Sequence, residues 1–250
     1  TLFKDLKYQI GANFSTLHNE VTHVENDTKV QGAYVRGNYL TYFKEGEPIW
    51  YFEGYKVTGI DPSSGDPIIE DVNGDKKVDA NDLTKIGDPH PDFIYGGNIS
   101  LEYKGFDFNM FLQGTYGNDI YMAWFRTDRE YSNKPTFFFD NRWQKAGDKA
   151  SMPKANNTSE QIYRSSLVCK DGSYMRIKQI QLGYTLPNSL TTNWGIEKIR
   201  AFVSLDDYFT FTDYEGMDPE AGSTDNRNQG IDKGLYPTTK KVMFGINVSF

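Results

Sequence analysis

The last eleven residues, KKVMFGINVSF at positions 240–250, alternate between two kinds of side chain. After the two lysines, one parity carries only apolar residues, namely Val242, Phe244, Ile246, Val248 and Phe250. A repeat of two residues places the two parities on opposite faces of a β-strand. The stretch therefore predicts a strand with one apolar face, and the last residue of that strand is aromatic.

The same alternation recurs along the chain. It predicts strands at residues 5–16, 93–103, 106–117, 174–186, 198–212 and 241–250. We interpret VTHVEN, at about 20–28, as a return strand after the first one, which makes seven strands in all. The apolar set is odd-numbered at 93–103 and 199–205, and even-numbered at 106–116, 180–186 and 242–250. Strands of about 9–11 residues have the length that spans a bilayer.

Two features distinguish a membrane barrel from a soluble β-sandwich. The polar parities are rich in Gln, Asn, Ser and Thr and carry few charges. The connections alternate between short turns, such as Lys104-Gly105, and long loops at about 29–92, 118–173 and 213–240. Short turns on one side and long loops on the other are typical of outer-membrane barrels. We therefore expect an all-β fold, an antiparallel transmembrane β-barrel segment. A soluble carbohydrate-binding β-sandwich with a calcium loop remains the alternative.

Composition excludes several other classes. No run approaches 18 apolar residues, so a helical membrane span is not expected. The net charge of −7 argues against a nucleic-acid partner. The three histidines are scattered, and we find no catalytic constellation, phosphate loop or metal motif of the HExxH or CxxC type. The sequence therefore does not indicate an enzyme.

The segment DVNGDKKVDAND, residues 71–82, resembles a calcium loop of the EF-hand type. Oxygen ligands at loop positions 1, 3, 5, 7, 9 and 12 define such a site. Here these positions are Asp71, Asn73, Asp75, Lys77 (through its carbonyl), Asp79 and Asp82. Lys76 replaces the usual Gly at position 6, and Asp82 is shorter than the usual Glu. We expect a structural Ca²⁺; an acidic loop without metal is the alternative.

Two aromatic clusters fall in the long loops. They supply the candidate contacts to a substrate or partner, which are Trp50, Tyr51, Tyr55, Trp124, Phe125 and Tyr131. Aromatic planes stack on ligands and are enriched at protein interfaces. Packing of the loops on themselves would account for the same residues.

Six consecutive blocks resemble one family. They are GEPIWYFEGYKVTGI (46–60), DVNGDKKVDANDLTKIGDPHPDFIYG (71–96), YKGFDFNMFLQGTYGNDIY (103–121), DGSYMRIKQIQLGYTLP (171–187), FTFTDYEGMDPEAGS (209–223) and GLYPTTKKVMFGINVSF (234–250). In order and spacing they are similar to the C-terminal barrel region of SusC/RagA-type TonB-dependent outer-membrane transporters. One departure is LDDYFTFT at 205–212, where Asp206 and Asp207 replace uncharged residues; we interpret them as a local ladder or loop contact.

The resemblance implies several properties of a larger protein. The barrel would have 22 strands, about seven of them in this chain, and the plug domain in its lumen would not be present here. Partners would be a SusD-like surface lipoprotein, the remaining barrel and plug polypeptide, TonB through the plug, and outer-membrane lipid. The cargo would be oligosaccharides or peptides, and the location the outer membrane of a Gram-negative, Bacteroidetes-type cell. The terminal row Phe244, Ile246, Val248 and Phe250 would carry the barrel-assembly signal.

An odd count of seven strands has a topological consequence. If residue 250 lies in the periplasm, the first strand begins at the outer surface. Edge strands cannot remain unpaired in lipid. We therefore expect the strands at 6–14 and 242–250 to pair with other polypeptide rather than with each other.

Overall fold

The computed structural model describes residues 5–126, 129 and 131–250. The strands are β1 Lys7–Thr16, β2 Val30–Gln31, β3 Tyr34–Val35, β4 Asn38–Tyr39, β5 Thr41–Phe43, β6 Tyr51–Tyr55, β7 Val57–Ile60, β8 Pro67–Ile69, β9 Leu83–Gly87, β10 Phe93–Tyr103, β11 Phe106–Tyr116, β12 Asp119–Met122, β13 Cys169–Asp171, β14 Tyr174–Thr185, β15 Lys198–Thr212, β16 Ile231–Asp232 and β17 Lys241–Ser249. The α-helices are α1 Thr136–Asn141, α2 Glu160–Tyr163 and α3 Asn188–Thr191. Short 3-10 turns occupy Glu25–Asp27, Ala80–Asp82, Thr192–Trp194 and Asn226–Asn228.

Six long strands form the main sheet, in the order β1-β10-β11-β14-β15-β17. All neighbours are antiparallel. At one end of the sheet, hereafter the short-turn end, the strands are connected by Lys104-Gly105 and by residues 186–197. At the other end, hereafter the long-loop end, the strands are continued by the long segments 17–92, 117–173 and 213–240. The all-β antiparallel class predicted from the sequence is confirmed.

The predicted strand at about 20–28 is wrong. Residues Glu25–Asp27 form a 3-10 turn in which Asn26 has a φ of 61°, and β1 pairs directly with β10. Val21 and Val24 are three residues apart and cannot share one face of a strand. The N–H of Val21 bonds instead to the carbonyl of Glu47. The sheet thus has six strands rather than seven, and β1 begins at the short-turn end.

Apolar side chains line one face of the whole sheet, and this set is hereafter called the apolar row. The register shows its continuity from strand to strand, for example through Ile10, Ile99, Met110, Ile180, Leu205 and Val242. The odd-numbered apolar residues of β10 and β15 therefore share a face with the even-numbered apolar residues of β1, β11 and β17, as predicted. In β14 the register shifts between Ile177 and Gln179, and the apolar set passes from even to odd numbers. A matching irregularity in β15 centres on Asp207, whose φ is 52°.

No other described part of the chain covers this apolar face. Phe244 is 82% exposed, Ile246 70% and Ile10 69%. A β-sandwich would bury these side chains against a second sheet, so the soluble alternative does not fit. Burial of large apolar groups is found at the long-loop end instead, around Phe52, Ile120 and Met122.

Helices in the described residues are short, and none has the length and apolarity needed to span a membrane.

The two faces of β17 predict different costs for the same substitution. Ile246 lies on the apolar row near the middle of the strand, and Asn247 lies on the opposite face. We expect Ile246→Arg to lower the free energy of unfolding in lipid by roughly 2–4 kcal/mol, because arginine is costly in hydrocarbon near the bilayer midplane. Asn247→Arg should cost much less. Refolding of the intact protein into bilayers measures both values, and equal costs would contradict the assignment of faces.

Candidate functional site

The long loops fold around a core of their own. Phe52 of β6, Ile120 and Met122 of β12 and Phe138 of α1 are at most 3% exposed. Small sheets, such as β2-β5-β6-β9 and β13-β12-β16, hold this core together. The core gives the loops fixed positions at the long-loop end of the sheet.

Three of the aromatic residues predicted to contact a substrate or partner belong to this buried layer. Tyr51 is 2% exposed, Tyr55 7% and Phe125 2%. Their rings are enclosed by the loops, and a direct contact role for these three stays a prediction. Phe125 packs edge-on against Phe138, with ring centroids 5.5 Å apart. The alternative, loops packed on themselves, accounts for them.

The other three aromatic candidates lie at different depths. Tyr131 is 95% exposed. Trp124 is half-buried, and its Nε1 donates to the hydroxyl of Tyr214 at 3.4 Å. Trp50 is half-buried with a left-handed φ of 60°, and its ring lies 4.9 Å from that of Phe43. These three are the more accessible of the six candidates.

A cavity of about 560 Å³ lies between the polar face of the sheet and the loops. Trp50 is part of its wall, together with Ile94 of β10 and Tyr174 of β14. Its polar lining includes side-chain amides from several loops, among them Asn118 and Gln229. Ligand sites are typically concave and apolar with a few polar groups. The cavity has this composition, and it lies in line with the lumen face of a barrel.

An ion network fixes loop 213–240 to the sheet beside this cavity. Arg176 of β14 is 3% exposed; its Nη2 donates to Asp218 at 2.7 Å and its Nη1 to Glu220 at 2.8 Å. Lys178 lies 3.1 Å from both Glu220 and Asp207. The bulges in β14 and β15 bring the side chains of Lys178 and Asp207 together. Asp206 and Asp207 therefore form the ladder and loop contacts expected from the sequence.

Asp218 is held ionised in this network. Burial alone would raise the pKa of Asp218. The hydrogen bond from Arg176 and those from the N–H groups of Thr238 and Glu220 outweigh burial and lower the pKa to about 2. The sequence analysis missed these residues. The signal was present as a lone Arg176 on a mostly uncharged strand face and as the acidic pair in DPE at 218–220.

The acidic loop at 71–82 takes the backbone turn of a calcium loop. Gly74 has a φ of 78° and Lys76 a φ of 67°, so Lys76 adopts the left-handed conformation of the glycine it replaces. The carboxylate of Asp71 accepts the N–H of Gly74 at 2.7 Å and that of Lys76 at 2.8 Å. The backbone therefore fits the predicted site despite the lysine.

The side chains of this loop bond mainly to its own backbone. Asp82 is fully buried, and its two oxygens accept the N–H groups of Val72 and Asp79, both at 2.9 Å. The Asp79 hydrogen bond is the main cause of a lowered pKa at Asp82. Within residues 5–126, 129 and 131–250, no three acidic, His or Cys side chains converge as a metal cluster. Calcium binding stays a prediction.

The Asp218 network predicts how loop 213–240 responds to substitution and pH. Arg176→Met leaves the buried carboxylate of Asp218 without its cation, while Glu220 keeps Lys178, and the local opening free energy should fall by about 3–5 kcal/mol. Hydrogen exchange at the amides of Glu220 and Thr238 measures it. Lys170→Met removes a more exposed pair with Glu215 and is the control.

The lowered pKa sets the direction of the pH effect. A carboxyl group with a depressed pKa stabilises the folded state above its ordinary pKa, and this contribution is lost as the pH falls through the folded value. Protection of the two amides should therefore stay constant from pH 7 to about 4 and decline toward pH 2. A decline centred near pH 6 would contradict the assignment to Asp218.

Comparison with known proteins gives a consistent picture. No family model matches the chain. TonB-dependent receptor P3 of Formosa agariphila is 29% identical across 99% of the chain and 27% of its own length. TonB-dependent receptor SusC of Bacteroides thetaiotaomicron is 24% identical across 99% of the chain and 25% of its own length.

Among solved structures, that of the RagAB peptide transporter superposes with a TM-score of 0.79 at 24% identity, across 99% of the chain and 28% of the matched chain. The chain thus spans about a quarter of the length of the curated relatives it matches. The names of these relatives are those of receptors and transporters, which is consistent with the absence of an enzymatic motif in the sequence.

Proposed function

Because the chain is a barrel segment of the SusC/RagA type of TonB-dependent receptor, we propose that it forms part of an outer-membrane transporter for oligosaccharides or peptides. The apolar row across all six strands carries this proposal. On it, Ile10, Phe244 and Ile246 are largely exposed, and lipid is the environment that would cover the row. Lipid would thus contact one face and the transport lumen the other.

The remaining parts of the transporter would complete this wall. β1 and β17 lie at opposite edges of the sheet and are not paired with each other. We propose that both pair with strands of the same transporter outside these 250 residues, and that the plug and its contact to TonB belong to that polypeptide. The row Phe244, Ile246, Val248 and Phe250 would serve as the barrel-assembly signal, which its exposure on the edge strand β17 permits.

The long-loop end would face the cell exterior. Outer-membrane barrels have short periplasmic turns and long extracellular loops, which supports this orientation. A SusD-like lipoprotein would cap the loops. The exposed ring of Tyr131 offers one point of contact.

We place the contact to cargo in the cavity of about 560 Å³. Trp50 presents an aromatic surface there, and amide side chains offer both donors and acceptors to hydroxyl or peptide groups. Its position between the lumen face and the loops is where cargo would enter the barrel. Charge in the wall is already neutralised, because Glu220 is paired with Arg176 and Lys178.

Trp50→Ala in the intact transporter tests this role. We expect the half-saturating cargo concentration to rise about tenfold, equivalent to roughly 1.4 kcal/mol. Uptake of labelled oligosaccharides and of labelled peptides by cells is the measurement, and it also separates the two cargo classes. Tyr236→Ala is the control, since Tyr236 is 87% exposed and outside the cavity. Unchanged uptake in Trp50→Ala would remove the cavity from the transport path.

We also propose that Ca²⁺ binds the loop at 71–82 and fixes it at the long-loop end. Asp71, Asn73, Asp75, Asp79 and Asp82, with the carbonyl of Lys77, would hold the ion. A carboxylate has about four lone-pair sites, so oxygens that accept one backbone N–H retain capacity for a metal. The left-handed turn at Lys76 supports this site.

Calcium should protect this loop from proteolysis. Cleavage within 71–82 should be slower in calcium than in chelator, because the ion would draw the carboxylates together. Asp71→Asn with Asp75→Asn should abolish the difference. Asp61→Asn, in a neighbouring exposed turn, is the control and should retain it. Equal cleavage of the unmodified protein in calcium and in chelator would rule out the ion.

A further inference from the structure

The connection from β14 to β15 is folded rather than a tight turn. At the same end of the sheet, β10 and β11 are joined by Lys104-Gly105 alone. Residues 186–197 instead contain α3 and the 3-10 turn Thr192–Trp194, which follow each other without a break. The hydroxyl of Thr192 donates to the carbonyl of Asn188 at 2.7 Å and tightens the first turn.

This connection presents two large apolar side chains. Leu190 is 52% exposed and Trp194 66% exposed. They are four residues apart in the helical segment and therefore lie on one side of it. Thr191, next to Leu190, is fully buried, so the segment is held against the sheet while this side remains open. Of the four tryptophans, all of which are described, Trp194 alone is exposed.

Most of the connection also lacks charge, which begins again only at Glu197. Residues 187–196, PNSLTTNWGI, contain no ionisable side chain. Tyr184, three residues before this stretch, and Ile199, three residues after it, both belong to the apolar row. The helical segment thus follows and precedes, within three residues, strand positions on the face that we propose meets lipid. Tryptophan is enriched where hydrocarbon gives way to headgroups, because its ring is apolar and its N–H is polar.

We infer that Leu190 and Trp194 form an anchor in the headgroup region of the lipid leaflet at the short-turn end, with phospholipid as the partner. The inference rests on the proposed membrane function. The apolar side chains enter the boundary between headgroups and acyl chains, and the uncharged polar residues of the segment stay among the headgroups. The anchor fixes the depth of β14 and β15 in the bilayer.

Fluorescence quenching tests this anchor in the intact transporter, reconstituted in vesicles of phosphatidylethanolamine and phosphatidylglycerol. The difference between the unmodified protein and Trp194→Phe isolates the emission of Trp194. Phospholipid brominated on acyl carbons close to the headgroup should remove that emission, and aqueous iodide should affect it little. Trp143→Phe, which reports a half-buried tryptophan among the long loops, should show no loss with brominated lipid.

Two other outcomes would overturn the anchor. Quenching of Trp194 by iodide alone would place it in water, and quenching by neither agent would place it under another protein. Phe244→Trp in the Trp194→Phe background separates the two proposals, because Phe244 lies on the apolar row. Quenching of this residue by brominated lipid without quenching of Trp194 would reject only the anchor. If brominated lipid quenches neither Trp194 nor the tryptophan of Phe244→Trp, the proposed membrane location itself is rejected.

Discussion

Backbone hydrogen bonding between strands that share one apolar face, which we propose meets lipid, is the constraint on which this structure depends. A polar backbone group without a partner in hydrocarbon costs several kcal/mol, so every strand must be paired along its length. The six long strands satisfy this through antiparallel ladders of nine or more residues. Only the outer edges of β1 and β17 are left open, and a closed wall would pair both.

The same constraint explains the register. A slip by one residue would turn an apolar row toward the lumen and a polar row toward lipid. The irregularity near Ile177 changes the parity of the apolar set in β14, and the one at Asp207 in β15 accommodates it without breaking the apolar row. They also bring Lys178 and Asp207 together, where Glu220 joins them. One local distortion thus preserves the apolar face and ties a loop to the sheet.

Sequence alternation predicted all six long strands, the terminal strand included, from one physical signal, a face that must be apolar. The strand interpreted at residues 20–28 lacked this signal, and a local bond from Val21 to Glu47 prevails there. Alternation could not assign depth to Tyr51 or Phe125, since loop aromatics have no periodicity that separates burial from exposure. The pairing of Arg176 with Asp218 also escaped it, because the two are 42 residues apart.

Side-specific labelling of β17 in the intact transporter tests the central claim most directly. Each residue from 242 to 249 would be replaced by cysteine and treated in membranes with a water-soluble maleimide and with a lipid-soluble one. The apolar row should react only with the lipid-soluble reagent, at Val242, Phe244, Ile246 and Val248. The odd positions between them should react with the water-soluble reagent. The same reactivity at both parities would contradict a wall with lipid on one face and a lumen on the other.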